Sequence, residues 1–240
     1  MLAVMNALDQ LMKHAASIEA KIGYKFIDRS LLVLAFTHRS YVNENRDIIV
    51  HNERLEFLGD AVLGLLISEY LYHHLPHTPE GDLSYLRSRL IEASSCMSYV
   101  AKLEIDRHLL LGKGERLNDG RGRESILGDF FEALIGAIYV DGGLIAASKF
   151  LFSNFLDEIE ATIKTPLHNW KAMLQDYCQK KFQRAPNYKV IHESGPDHSK
   201  KFNISVFMNE KELGRGIGAS KKEAQQDAAK HALQQLTPAM

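Results

Sequence analysis

A chain of 240 residues can bury one large core or two ordinary ones, and 45% apolar with 25% charged residues excludes disordered and fibrous classes. The net charge of -1 hides an asymmetry: from Lys164 onward 13 Lys and Arg stand against 7 Asp and Glu, leaving 16 against 23 before it. An acidic front and a basic tail imply two domains, the second facing a polyanion. Cys96 and Cys178 fall in different halves, with neither a disulfide framework nor metal-ligand spacing, which implies a reducing compartment. The N-terminus has no basic start and carries Asp9 within its apolar stretch, so it reads as an amphipathic helix and not a signal peptide. Apolar runs such as 133–140 are too short to span a bilayer. A soluble, cytoplasmic protein with no membrane partner is expected.

Helical periodicity recurs at 17–22, 29–36, 52–74, 82–102, 124–139 and 144–162, so residues 1–162 are expected to form an all-α domain. His38 in THRS reads as a helix anchor in preference to a general base. In HNERLEFLGDAV (51–62), Glu53, Glu56 and Asp60 share one helix face, beside an apolar stripe of Leu55, Leu58, Val62, Leu65 and Leu66. Carboxylates beside a core face must be paired, protonated or bound to a cation. Arg54 reads as an ion-pair partner. Pro79 and Glu80 suit a helix first turn with Thr78 as its cap. LGKGE (111–115), with Arg121 and Arg123 nearby, is either a phosphate-backbone contact or a flexible loop; it lacks the pattern of a nucleotide P-loop.

A second acidic pair, Asp129 and Glu132, lies on one face of an otherwise apolar helix that a stop signal, Asp141-Gly142-Gly143, should end. Four carboxylates from two apolar helices can hold Mg²⁺, a hard ion that prefers oxygen ligands. Spacing alone leaves open the alternative that each acid meets an arginine or water.

After Thr165-Pro166 the period changes. A helix over 167–182 precedes strands at 187–194 and 201–208, a weaker third strand follows, and Ser220 with Glu223 forms a capping box for a last helix. Residues 167–238 are expected to fold as a compact α+β domain of order α-β-β-β-α. Lys221 and Lys222 occupy the first turn of that last helix, where the dipole disfavours cations. Their placement makes sense if they and the helix N-terminus address phosphates.

NERLEFLGD (52–60), ILGDFFEALIGAIYVDGG (126–143) and the α-β-β-β-α tail, with IGYKF, THRSY, PEGDLSYLRSRLI and LGKGE in order, resemble bacterial ribonuclease III. That family couples an endonuclease domain to a double-stranded-RNA-binding domain. The resemblance implies that Glu56, Asp60, Asp129 and Glu132 bind Mg²⁺, with Mn²⁺ able to substitute, and that Asp60 and Glu132 are the most sensitive catalytic positions. Glu53 and Glu80 match secondary acids. It also implies a homodimer with two sites in one valley, each cutting one strand to leave 5′-phosphate and 3′-hydroxyl ends with a short 3′ overhang. Ribosomal and messenger RNA processing would be the context.

In the tail the resemblance places Gln175 and Gln179 at one minor-groove contact, His198 in GPDHSKKF at another, and Lys200, Lys221 and Lys222 on the phosphates between. Ala172, Gln225 and Gly128 depart from common family residues without removing a ligand. The alternative, a non-catalytic RNA-binding protein on a decayed nuclease fold, sits poorly with retention of all four ligand positions.

Overall fold

The computed structural model describes residues 2–45, 49–117, 122–165, 170–195 and 200–236, with side chains from Ala7 onward. The chain divides into two compact units, residues 1–165 and 166–240.

In the first unit, α1 (Leu2–Ile22) buries Leu11, Ala15, Ile18 and Ile22, spaced four, three and four apart as one helix face requires. The first residues therefore lead into a packed helix. The chain then turns through Gly23 at φ +70°. The loop that follows is held from far along the sequence. Asp141 accepts from the Tyr24 hydroxyl at 2.7 Å and from the backbone N–H groups of Ile27 and Asp28 at 2.8 and 2.9 Å. Asp28 in turn caps α2 (Arg29–Ala35). His38 caps α3 (Arg39–Glu44), its Nδ1 accepting from the Ser40 N–H at 3.1 Å. The helix-anchor reading of His38 describes what it does here.

Two long helices form the middle of the unit: α4 (Glu53–His74), and α8 (Arg123–Lys164), which follows the helices α5 (Glu80–Ile91), α6 (Ala93–Leu103) and α7 (Lys113–Leu117). The expected single helix over 82–102 is two, broken at Glu92 in extended conformation. Side chains of α6 receive the carbonyls that α5 leaves open. Ser95 Oγ donates to Arg89 O at 2.6 Å and the Tyr99 hydroxyl to Leu90 O at 3.3 Å. Pro79, not Thr78, stands at the cap of α5, and no side chain caps it. Within the α4 stripe Leu55, Val62 and Leu66 are buried, but Leu65 is exposed and Leu63 and Ile67 take its place inside.

The Asp141-Gly142-Gly143 signal interrupts α8 as expected, so that the element is two helices joined at a kink. Gly143, at φ 73° and ψ -174°, adopts a backbone only glycine tolerates, and helix resumes at once. Taken together across the kink, Arg123–Lys164 is long and apolar enough to cross a membrane by length and composition alone. Its apolar face is instead core, with Phe130, Phe131, Leu134, Ile138, Phe150 and Phe155 buried.

The second unit has the expected order: α9 (Trp170–Phe182), β1 (Asn187–Ser194), β2 (Lys201–Met208), β3 (Lys211–Gly218) and α10 (Lys221–Leu236). The sheet is antiparallel in the order β1-β2-β3. Leu174 and Cys178 of α9, Val206 and Met208 of β2, and Ala228, Ala229 and Ala232 of α10 form its core. KELGRGIG, weak as a strand by side chains, is a strand because α10 lies directly on it. A Cβ at Gly214 or Gly216 would come within 2.6 or 2.1 Å of the α10 backbone. Half of the expected capping box forms: the Glu223 N–H donates to Ser220 Oγ at 3.1 Å, while Glu223 Oε2 accepts from the Ala219 N–H, one residue before the cap, at 2.8 Å.

Candidate functional site

The two acidic pairs meet because α4 and α8 cross with no side chain between their backbones. Gly59, one residue before Asp60, faces the backbone of Glu132, and a Cβ there would stand 1.8 Å from the Glu132 carbonyl oxygen. Gly136, one turn beyond Glu132, faces Leu55, where a Cβ would lie 2.2 Å from the carbonyl oxygen. Buried Asn52 registers the start of α4: its N–H donates to Thr37 O at 2.9 Å and its Nδ2 to Ala35 O at 3.3 Å. Gly128 lets α6 approach α8, since a Cβ would sit 3.2 Å from Ala93.

The electrostatics of Glu56, Asp129 and Glu132 follow from this crossing. Glu132 is pushed up to about 7, first by burial and then by the charges of Asp60, Asp129 and Glu56. Burial also raises Glu56, with Asp129, Glu53 and Asp60 adding to it. Asp129 is raised by burial against the opposing influence of His38 and a hydrogen bond from Ser125. Burial is the first cause in each case, and for Glu132 and Glu56 the neighbouring acids add to it.

Such a set fits a hard divalent cation by its chemistry: oxygen donors only, partly desolvated, mutually repelling, with no cation of the protein among the named influences except His38. Among the described residues, no group of three or more His, Cys, Asp or Glu side chains is already arranged to hold a metal. The carboxyls are neighbours that still repel, not a closed cage.

The secondary acids stand apart from this cluster in their partners. Glu53 pairs with Arg39 at 3.2 Å and lies 3.7 Å from His51 Nδ1. Glu80 accepts from the Ser84 hydroxyl at 2.7 Å. Arg54 is exposed and makes no ion pair among the described residues, contrary to expectation.

In the second unit, Gln175 and Gln179 are exposed one turn apart on α9. His198 lies outside the described residues. Lys200 and Lys221, distant in sequence, reach the same carboxylate: Glu193 Oε2 is 3.0 Å from Lys200 Nζ and Oε1 is 3.3 Å from Lys221 Nζ. Lys222, next to Lys221 in sequence, is exposed. Sequence reasoning missed Glu193, Asn52, Ser125 and the crossing glycines. Only the glycines carried a signal, as residues of poor helix propensity in the middle of two strongly apolar helices.

The family model described as Ribonuclease-III-like matches residues 28–159, and that described as Double-stranded RNA binding motif matches 170–236. A Ribonuclease 3 of Protochlamydia amoebophila is 66% identical over 97% of this chain and 96% of its own length. A Ribonuclease 3 of Streptococcus uberis is 44% identical over 97% and 99% respectively. Among solved structures, the nuclease domain of ribonuclease III from Campylobacter jejuni is 38% identical, with a TM-score of 0.53, and covers 62% of this chain and 95% of that one. A second structure of that domain, with a TM-score of 0.52 and 38% identity over 58% of this chain and 96% of that one, is described by flexibility in a region involved in dimer formation.

Proposed function

The chain belongs to the ribonuclease III family and is an endoribonuclease of double-stranded RNA, and from that premise we propose a Mg²⁺-dependent enzyme in which Glu56, Asp60, Asp129 and Glu132 hold the metal. The observation that carries this reading is the elevated Glu132 carboxyl, raised to about 7 by burial and its three acidic neighbours. A bound divalent cation would supply a water of lowered pKa and neutralise charge on the phosphate under attack. The protein's own part is to fix donors and release a proton. Glu132 must shed the proton that burial favours, so metal capture and its deprotonation are one event. The hydrogen bond from Ser125 favours the ionised form of Asp129 and opposes part of the effect of burial. Products would carry 5′-phosphate and 3′-hydroxyl ends with a short 3′ overhang, and Mn²⁺ would substitute for Mg²⁺.

A homodimer belongs to the same proposal. On the helix of the first acids Phe57 is 83% exposed, and Leu65 and Tyr72 follow it on the surface. At seven- and eight-residue spacing the three make an apolar strip on one helix face that suits a subunit contact, and the Campylobacter jejuni domain is described as having a region involved in dimer formation. The setting proposed is the cytoplasm, in ribosomal and messenger RNA processing; both cysteines are free and buried.

The direct test incubates labelled duplex RNA with the protein in Mg²⁺ and then in EDTA. Cleavage to short duplex products is expected with Mg²⁺ and none in EDTA. Binding without cleavage under both conditions would leave only the decayed-nuclease reading.

For the tail we propose that Gln175, Gln179, His198, Lys200, Lys221 and Lys222 contact the duplex. Replacing Lys221 and Lys222 by alanine should weaken binding to every duplex alike. The slope of log affinity against log salt should become shallower by about 1 to 2, one unit per lost phosphate contact. An unchanged slope would remove both lysines from the phosphates.

A further inference from the structure

We propose that Glu193, an acid that meets two of the lysines assigned to RNA, is a positioning residue that sets the spacing of Lys200 and Lys221 for duplex phosphates. The inference rests on the assignment of those lysines to RNA and goes beyond it.

Strand parity alone would put Glu193 on the wrong side of the sheet. Tyr188 pairs with Val206 and Val190 with Ile204, so the even residues of β1 share the face that α10 covers. Continued without interruption, that alternation would turn His192 toward α10 and Glu193 away. The register instead slips between Val190 and His192, a β-bulge that leaves Ile191 without a partner. One residue of slip exchanges the faces. Glu193 then pairs with Phe202, whose own neighbour on β3 is Gly218, where the start of α10 packs so closely that a Cβ would lie 2.5 Å from the Ala224 nitrogen.

Two lysines from separate elements meet at this point. Their ammonium groups lie 5.8 and 5.5 Å from the centre of the Phe202 ring, on carboxylate oxygens of the same glutamate. The three charges sum to +1, and each ammonium gives the carboxylate one of its three donors. Glu193 is held ionised by hydrogen bonds from both lysines. Two flexible cations that would otherwise repel are thus gathered over one ring before RNA arrives. Preorganisation of this kind lowers the ordering cost of binding.

The sign of the mutational effect decides the matter. If Glu193 is only an unfavourable charge, Glu193→Gln should tighten duplex binding, because it removes a negative charge facing phosphates. As a positioning residue its loss should weaken binding about threefold to tenfold, since lysine rotamers must then be ordered during binding. The measurement is duplex affinity of the full chain in EDTA against salt, for Glu193→Gln, Lys221→Ala and the double variant, with thermal unfolding as the check on folding. The proposal expects weaker binding for Glu193→Gln at unchanged melting temperature, and less than additive loss in the double variant. Tighter or unchanged binding by Glu193→Gln, with Lys221→Ala weakened, overturns the Glu193 role and leaves the lysine assignment standing. If Lys221→Ala leaves affinity and salt slope untouched, the lysine assignment fails and Glu193 positions nothing.

Discussion

Glu132→Gln should abolish duplex cleavage, a loss of about 10³-fold or more, while duplex affinity in EDTA stays within about twofold. The magnitude follows from removing a charged ligand worth several kcal/mol to a metal that stabilises phosphate charge. The same substitution should stabilise the metal-free protein. Glu132 has its carboxyl raised from the ordinary 4.5 to about 7, so between those values the folded chain keeps a proton that the unfolded chain releases. Stability of the metal-free protein therefore falls as pH rises through that window and stays low above it. Glutamine carries no such charge. At pH 8 the variant should be more stable than the parent by about 1–3 kcal/mol, discounted from the full shift because the carboxyl is only partly buried. At pH 4 the two should melt together. Added Mg²⁺ should raise the melting temperature of the parent at pH 8 and leave that of the variant nearly unchanged. Cleavage by the variant at the parent rate would remove Glu132 from the site, and equal melting at pH 8 would remove the charge crowding.

Gly59→Ala should damage the enzyme as severely by a different route. The added methyl meets the Glu132 carbonyl oxygen at 1.8 Å, and the obstacle is backbone, so α4 and α8 must separate. Overpacking of this kind costs about 1–3 kcal/mol, and more where backbone must move. For a unit of this size the melting temperature should drop by roughly 5–10 °C. Any folded remainder should cleave poorly, because the separation pulls Glu56 and Asp60 from Asp129 and Glu132. Gly81→Ala is the control: nothing lies within 4 Å of a Cβ there, and alanine suits a helix better than glycine. Unfolding followed by circular dichroism and cleavage of duplex RNA read the two consequences. Wild-type stability and activity in Gly59→Ala would show that the helices do not cross as described.

Much of this architecture was legible in the residues because its signals are local. Apolar residues at helical spacing place the helices of the first unit, and the switch to alternation after Thr165 places β1 and β2. The acids of the candidate centre declare themselves by lying within apolar faces, where a bare charge is costly. The family resemblance rests on contiguous motifs, and the family models match in the order those motifs predict. What failed were readings that depend on distant partners. The helix over 82–102 breaks because α6 supplies donors to the end of α5. Asp141-Gly142-Gly143, a local signal, does interrupt the helix where the sequence places it, at the kink of α8.

By itself the sequence determined an all-α unit followed by an α-β-β-β-α unit, the four carboxylates, and a cationic tail, because propensity, periodicity and charge are properties of neighbours along the chain. Tertiary structure alone decided that Gly59 and Gly136 let two helices touch and so bring residues some 70 apart into one field. It alone decided that a bulge turns Glu193 toward Lys200 and Lys221. Close approach and facing are relations between segments, and side-chain period within one segment does not contain them.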